Sequence, residues 1–227
     1  MSRLRFFKEK KKNSLGTLGK RQALMMMEIS YLAASSSLIW VALYYLPLGG
    51  AFFRLALPMP LALLQVRRGS KAGIEGAFLT VLVLIALMGP VRGPLVLFPY
   101  GLLAIWLGWS WLRGFSWWIS WGVGAFIGTV GFLFRVFVLS LLVGENLWIV
   151  ITRAGANLLD RVVDVFNLQL IPDLFQVQIM AIVLVVFQEL VYVLLLHVLA
   201  FWVFPRLKAR VPSPPELLNG LIEIDSL

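Results

Sequence analysis

VQIMAIVLVVFQELVYVLLLHVLAFWVF, residues 177–204, decides the fold class. Crossing the hydrocarbon of a bilayer takes about 20 apolar residues, and this run exceeds that with Glu189 as its one acidic or basic side chain apart from His197. A helix on the surface of a soluble domain would show a polar stripe at a period of about 3.6 residues; here there is none. The run stops at Pro205, and Arg206, Lys208 and Arg210 follow, cations suited to the headgroup layer. The rest of the chain has the same character. Of 227 residues 60% are hydrophobic and 14% charged, with mean hydropathy +0.90, where a soluble domain is about a quarter charged.

Working back from that last span, the chain reads as an all-α integral membrane protein, a bundle of about six transmembrane helices. A basic cytoplasmic tail (1–24) comes first, with Lys and Arg crowded between Ser2 and Arg21, too charged to enter lipid and too poor in periodic apolar residues to fold alone. The membrane domain (25–205) contains apolar runs near 29–46, 51–66, 72–88, 94–112, 117–142 and 177–204. A proline-rich cytoplasmic tail (206–227) closes the chain. The first run lacks a small-residue cleavage site and reads as a retained span, not a signal peptide. The second contains Pro58 and Pro60, each of which removes a backbone donor, so it is expected to be kinked or partly unwound and covered by protein or a cavity. Gly122, Gly124, Gly128 and Gly131 mark the fifth as a helix that neighbours approach closely.

With six spans, most of the 20 Lys and Arg fall on one side: the N-terminal tail, Arg67, Arg68, Lys71, Arg113, Arg206, Lys208 and Arg210. The positive-inside rule then puts both termini in the cytoplasm, or the stroma. The formal charge of +9 is explained by these flanking positions, so nucleic acid is not an expected partner; membrane lipid is. Between the fifth and sixth spans, Glu145–Asp173 is mixed: Arg153, Asn157, Asp160, Arg161 and Asp164 recur at helical spacing opposite an apolar face that includes Leu147, Ile151, Leu158 and Val162. This predicts an amphipathic helix on the non-cytoplasmic side, either lying at the interface or forming a lid over the bundle.

Enzyme chemistry has no signature here. Phosphate-binding glycine loops, paired histidines and nucleophile elbows are missing, and with no cysteine there are no disulfides, thiolate metal sites or cysteine nucleophiles. No enzyme activity, metal or cofactor is expected. His197 reads as a satisfied bundle histidine. Glu189 is the sharpest feature, a carboxylate at mid-span that must face the interior and find a partner, with Tyr192 one helical neighbour on. Arg135 is a candidate partner although about 9 Å shallower at 1.5 Å per residue; the alternative is that either group contacts a ligand. Arg54 and Arg92 lie at the non-cytoplasmic turns. On the first span Ala33 and Ser37 form a small-xxx-small face for another helix, internal or from a partner. Trp106, Trp109, Trp111, Trp117, Trp118 and Trp121 surround the turn at Arg113, where headgroup anchoring accounts for them.

The broken segment LPLGGAFFRLALPMPLALLQVRRGSKAG (46–73), the hairpin GPVRGPLVLFPYGLLAIWLG (89–108), the basic start and the small-residue first helix resemble the YybS-like family of predicted membrane proteins. That family is similar to the substrate-binding S components of energy-coupling-factor (ECF) vitamin transporters, and the resemblance covers Glu28 to Phe204. The tail VPSPPELLNG (211–220) is similar to short cyanobacterial and plastid members, which implies a plasma or thylakoid membrane. The resemblance implies an S-component-like bundle that binds a small molecule or vitamin for uptake. Its first-helix face, here Ala33 and Ser37, would dock on a transmembrane coupling protein driven by ATPase subunits.

Candidate ligand-binding residues on this reading are Arg54, Arg92, Arg135, Asp160, Arg161, Glu189 and Tyr192. The competing reading is a non-transporting scaffold or assembly factor for a larger membrane complex; an ion or proton channel built on Glu189 is a third. Sequence patterning leaves the ligand, the partner proteins and the oligomeric state open.

Overall fold

The structure, a computed structural model, describes residues 2–46, 49–165, 173–209 and 211–215, with side chains described outside 2–18, 51, 154, 158–160, 162–165 and 174. Eight α-helices follow one another among these residues: α1 (Ser2–Tyr45), α2 (Gly50–Ala56), α3 (Met59–Arg68), α4 (Ser70–Met88), α5 (Tyr100–Arg113), α6 (Trp117–Val143), α7 (Leu147–Val165) and α8 (Leu174–Val203). Single 3-10 turns lie at Pro94–Leu97 and Pro205–Leu207.

Among the described residues five segments are long and apolar enough to cross a membrane: Gly19–Tyr45, Ser70–Met88, Pro94–Arg113, Trp117–Val143 and Phe175–Val203. The expected second span is the one missing from this set, because its prolines divide it. Pro60 occupies the second position of α3, where an absent N–H costs nothing, so α3 starts at the prolines instead of running through them. Pro58 cannot donate to the carbonyl of Arg54, four residues back. That carbonyl is taken by the Tyr192 hydroxyl of α8 at 2.8 Å, and the Leu57 carbonyl by the Ser36 hydroxyl of α1 at 3.2 Å. Two carbonyls at the break are thus satisfied by side chains from two neighbouring helices, the condition under which a bilayer tolerates broken backbone.

At its N-terminal end α1 extends through the basic segment. The basic tail does not separate from the first span: α1 is a continuous helix from Ser2. Starting a helix is costly and extending one is cheap, and the tail's Lys, Arg, Leu and Glu are good helix formers that need only propagate from the span. The first part of the closing segment packs on the bundle. The Trp117 indole N–H donates to the carbonyl of Pro212 at 2.9 Å, and Ala209 is buried, so the chain turns back onto the bundle after α8.

Packing follows the hairpins. α1 lies on α4 and α3, α3 on α5 and α4, α6 on α5 and α8, and α7 on α8. The core holds Trp40, Leu57, Leu64, Leu84, Leu103, Leu107, Val193 and Leu196, all essentially without exposed surface. Large apolar side chains such as Phe78, Phe126, Phe137 and Phe187 point outward, the arrangement of a bundle solvated by lipid rather than water. Ala33 and Ser37 are buried too. The Ser37 hydroxyl donates to the Ala33 carbonyl at 2.9 Å, and Thr80 of α4 donates to the same carbonyl at 3.4 Å. The small-residue face is therefore filled from within by α4, and a partner helix could reach it only by displacing α4.

Candidate functional site

Near the ends of α1 and α2, five helices bring together a cluster of charged and aromatic side chains. The broken segment supplies Arg54, whose Nε donates to the Tyr100 hydroxyl at 2.7 Å. Tyr100 opens α5, fully buried. Trp40 and Tyr44, one turn apart on α1, meet edge to face at 5.2 Å, and Trp40 meets Tyr100 at 5.7 Å. Over these rings lies Arg135 of α6, its guanidinium 5.2 Å from the Trp40 centroid and 5.9 Å from that of Tyr100, donating to the Tyr44 hydroxyl at 3.1 Å. Such stacking is worth about 0.5–2 kcal/mol, more where water is excluded. Tyr192 of α8 completes the group, edge to face with Tyr100 at 6.2 Å.

Glu189 lies beneath, one turn from Tyr192, with 1% of its surface exposed. Its Oε2 has no hydrogen-bond partner. Room for it is made by Gly128 of α6: a Cβ on that glycine would stand 2.4 Å from Oε2. Close approach of α6 and α8 at this level therefore depends on a residue without a side chain. Ion pairs join Glu28 to Arg67 and Arg68 and Lys71 to Glu75, and none among the described residues joins Glu189 to a cation. The pairing of Arg135 with Glu189 considered from the sequence is not formed; Arg135 is held by α1 aromatics instead. Arg54 is the cation whose charge reaches Glu189, at more than ion-pair distance.

Of the seven candidate ligand residues, then, Arg54, Arg135, Glu189 and Tyr192 are brought together. Arg92 is exposed in the turn after α4, and Arg161 is exposed on α7. The side chain of Asp160 lies outside the described residues. Trp40, Tyr44 and Tyr100 escaped the sequence reading because an aromatic in an apolar run carries no mark of what lies over its face. A usable signal was the hydroxyl: a tyrosine deep in a span needs a partner for its polar tip.

The comparisons with known proteins fall in line with this architecture. A family described as predicted membrane protein, DUF2232, has a model that matches residues 33–219. The chain belongs to that family. No curated protein and no solved structure matches. Membership makes the chain a multi-pass membrane protein and is consistent with the YybS-like resemblance. It brings no function with it.

A second polar group is buried at the opposite end of this DUF2232 bundle. His197 on α8 has Nδ1 2.8 Å from the Val193 carbonyl, and Nε2 3.0 Å from the Ser120 hydroxyl. A carbonyl only accepts, so Nδ1 carries the proton and the Ser120 O–H donates to Nε2. Ser120 and Ser110 hydroxyls lie 2.7 Å apart. Trp111 and Trp117 flank the imidazole at 5.4 and 5.3 Å. This corrects the reading of the tryptophans as headgroup anchors: Trp111 and Trp117 are buried around His197, Trp106 donates to the Ser120 carbonyl and Trp121 to that of Leu190. Trp118 alone among the six is exposed. With its ring nitrogens both occupied, His197 fastens α8 to α6 and offers no free ligand.

Proposed function

We propose that this protein is a membrane-embedded ligand-binding subunit, S-component-like in build, that captures a small anionic molecule for uptake on Arg54 and Arg135. One observation carries the reading. Both guanidiniums lie where α1, α2, α5, α6 and α8 converge, held by tyrosine hydroxyls and ring faces, with no carboxylate in ion-pair contact among the described residues. Charge inside a membrane domain is costly and is kept where it meets a substrate or partner. Two guanidiniums against the single carboxylate of Glu189 leave at least one positive charge to be met by a ligand.

On this reading α2 and α3 together are the second of six spans, both termini are cytoplasmic or stromal, and the Arg54 cluster faces outward. α7 is the amphipathic lid, with Arg153, Asn157 and Arg161 on its exposed side. Coupling to a transmembrane partner with ATPase subunits would use a surface other than Ala33 and Ser37. The bare apolar face of α6, with Phe126 and Phe137, is the specific support for the alternative, a scaffold within a larger membrane complex.

The test is thermal unfolding of the full chain in mild detergent against panels of small acids, phosphate esters and neutral or cationic compounds. Anions should raise the melting temperature of the wild type, and Arg135→Gln should weaken that response at least tenfold. A response equal in Arg135→Gln, or none to any anion, rejects the reading. Co-purification under the same conditions separates uptake from scaffolding by whether ATPases or an unrelated membrane complex come with the protein.

A further inference from the structure

Beside Arg54 the bundle is not closed. Leu43 of α1, Leu55 of α2, and Val191 and Leu195 of α8 line a groove of about 450 Å³ together with Arg54, Gln188 and Tyr192. That volume lies within the range of small-molecule sites. Its lining is apolar except near Arg54 and Gln188, and Val191 and Leu195 are 41% and 45% exposed. These two leucine and valine side chains belong to the outward surface of a membrane-spanning helix, so the groove opens sideways toward lipid, not along the bundle axis toward water. From Gln188 to Leu195 it runs about 10 Å at 1.5 Å per residue. Arg54 is the one cation in the lining and among the described residues has no carboxylate in ion-pair contact; apart from Gln188 and Tyr192 the other side chains are hydrocarbon.

We infer that the ligand is a single-chain amphiphilic anion, with its carboxylate or phosphate head on Arg54 and its apolar chain in the Leu43–Leu55–Val191–Leu195 groove, taken laterally from the membrane. This rests on the anion-binding reading above and narrows its substrate class. Charge complementarity selects the head: Arg54 and Arg135 outnumber Glu189, and a planar guanidinium meets an oxyanion through two parallel hydrogen bonds. The apolar walls select the tail. A purely hydrophilic anion would leave those walls unused, whereas an alkyl chain moves from lipid into protein contact with little change in polarity, so the head supplies most of the selectivity. The groove's volume suits one chain, not the two of a phospholipid.

The experiment compares decyl phosphate and decanoate with inorganic phosphate and acetate, using the full chain in mild detergent and melting temperature as readout. Wild type, Leu195→Trp and Arg54→Lys are titrated in parallel. Leu195→Trp fills the groove from its lipid-facing side, where folding is least affected, and Val191→Trp serves as a second block. The expected result is a saturable shift with the C10 anions at concentrations at least tenfold below those needed for the short ones. Either tryptophan should weaken the C10 response at least tenfold and leave the short-anion response unchanged. A photoreactive C10 acid should label Leu55, Val191 or Leu195. If short and C10 anions act at equal concentration, or the tryptophans change nothing, the lateral amphiphile is refuted while anion binding stands. If no anion of either length acts, both fail together.

Discussion

Replacing Tyr192 by Phe tests how the broken second span is held together. Pro58 has no N–H, so the carbonyl of Arg54 lacks its helical donor, and the Tyr192 hydroxyl at 2.8 Å supplies the replacement. Tyr192 is 9% exposed, and no water is at hand inside the bilayer to take over. A buried group left unsatisfied costs about 1–3 kcal/mol, while side-chain hydrogen bonds between membrane helices average about 0.6 and reach about 1.7 kcal/mol. Among the described residues the freed carbonyl has no second donor, which places the cost near the upper end of the membrane range, about 1.5 kcal/mol. That is roughly a tenfold fall in the folded-to-unfolded ratio. The decisive measurement is the double-mutant cycle with Pro58→Ala, which restores an N–H at position 58. In that background the carbonyl regains a partner and Tyr192→Phe should cost less than about 0.5 kcal/mol, read by reversible unfolding in a mixed micelle of increasing denaturing detergent. Equal costs in both backgrounds would refute the account of the mended break.

Gly131→Ala places a Cβ 2.8 Å from the Cα and Cβ of Pro99, where backbone must move, whereas Gly128→Ala meets the movable end of Glu189 at 2.4 Å. Gly131→Ala should therefore cost about 1–3 kcal/mol and Gly128→Ala less, the latter relieved further by Glu189→Ala, in the same unfolding assay. Ser120→Ala leaves His197 Nε2 buried without its donor and should destabilise by about 1–3 kcal/mol, while Ser116→Ala at the exposed start of α6 should cost no more than about 1 kcal/mol. Glu28→Gln removes both ion pairs to α3, whose arginines are 38% and 34% exposed; the loss should be about 0.2–1 kcal/mol and should fade as salt is raised.

Legibility in the sequence divides along physical lines. Hydropathy is a one-dimensional property, so the apolar runs, their approximate ends and the need for a break at Pro58 and Pro60 could be read directly. A count of continuous spans could not, because whether two prolines kink a helix or divide it depends on who satisfies the carbonyls left open at the break, here that of Arg54 by Tyr192 and that of Leu57 by Ser36, both from distant parts of the chain. Glu189 stood out as a costly buried carboxylate and proved to be buried. Its neighbour did not follow from depth: counting residues pointed to Arg135, but helix tilt and rotation turn that guanidinium onto Trp40 and bring Arg54 within electrostatic reach instead.

Composition and periodicity by themselves determined that this chain is helical and multi-pass, because the solvent of a membrane protein constrains every residue in a span alike. Which small face packs inward, which tryptophans enclose His197, and which two arginines share one aromatic cluster were decided only in three dimensions. The reason is that helix faces in lipid are nearly all apolar. Without a polar stripe to tell inside from outside, the rotation of each helix is set by close contacts such as Gly128 against Glu189 and Thr80 against Ala33, and those pairings span separations that no local pattern encodes.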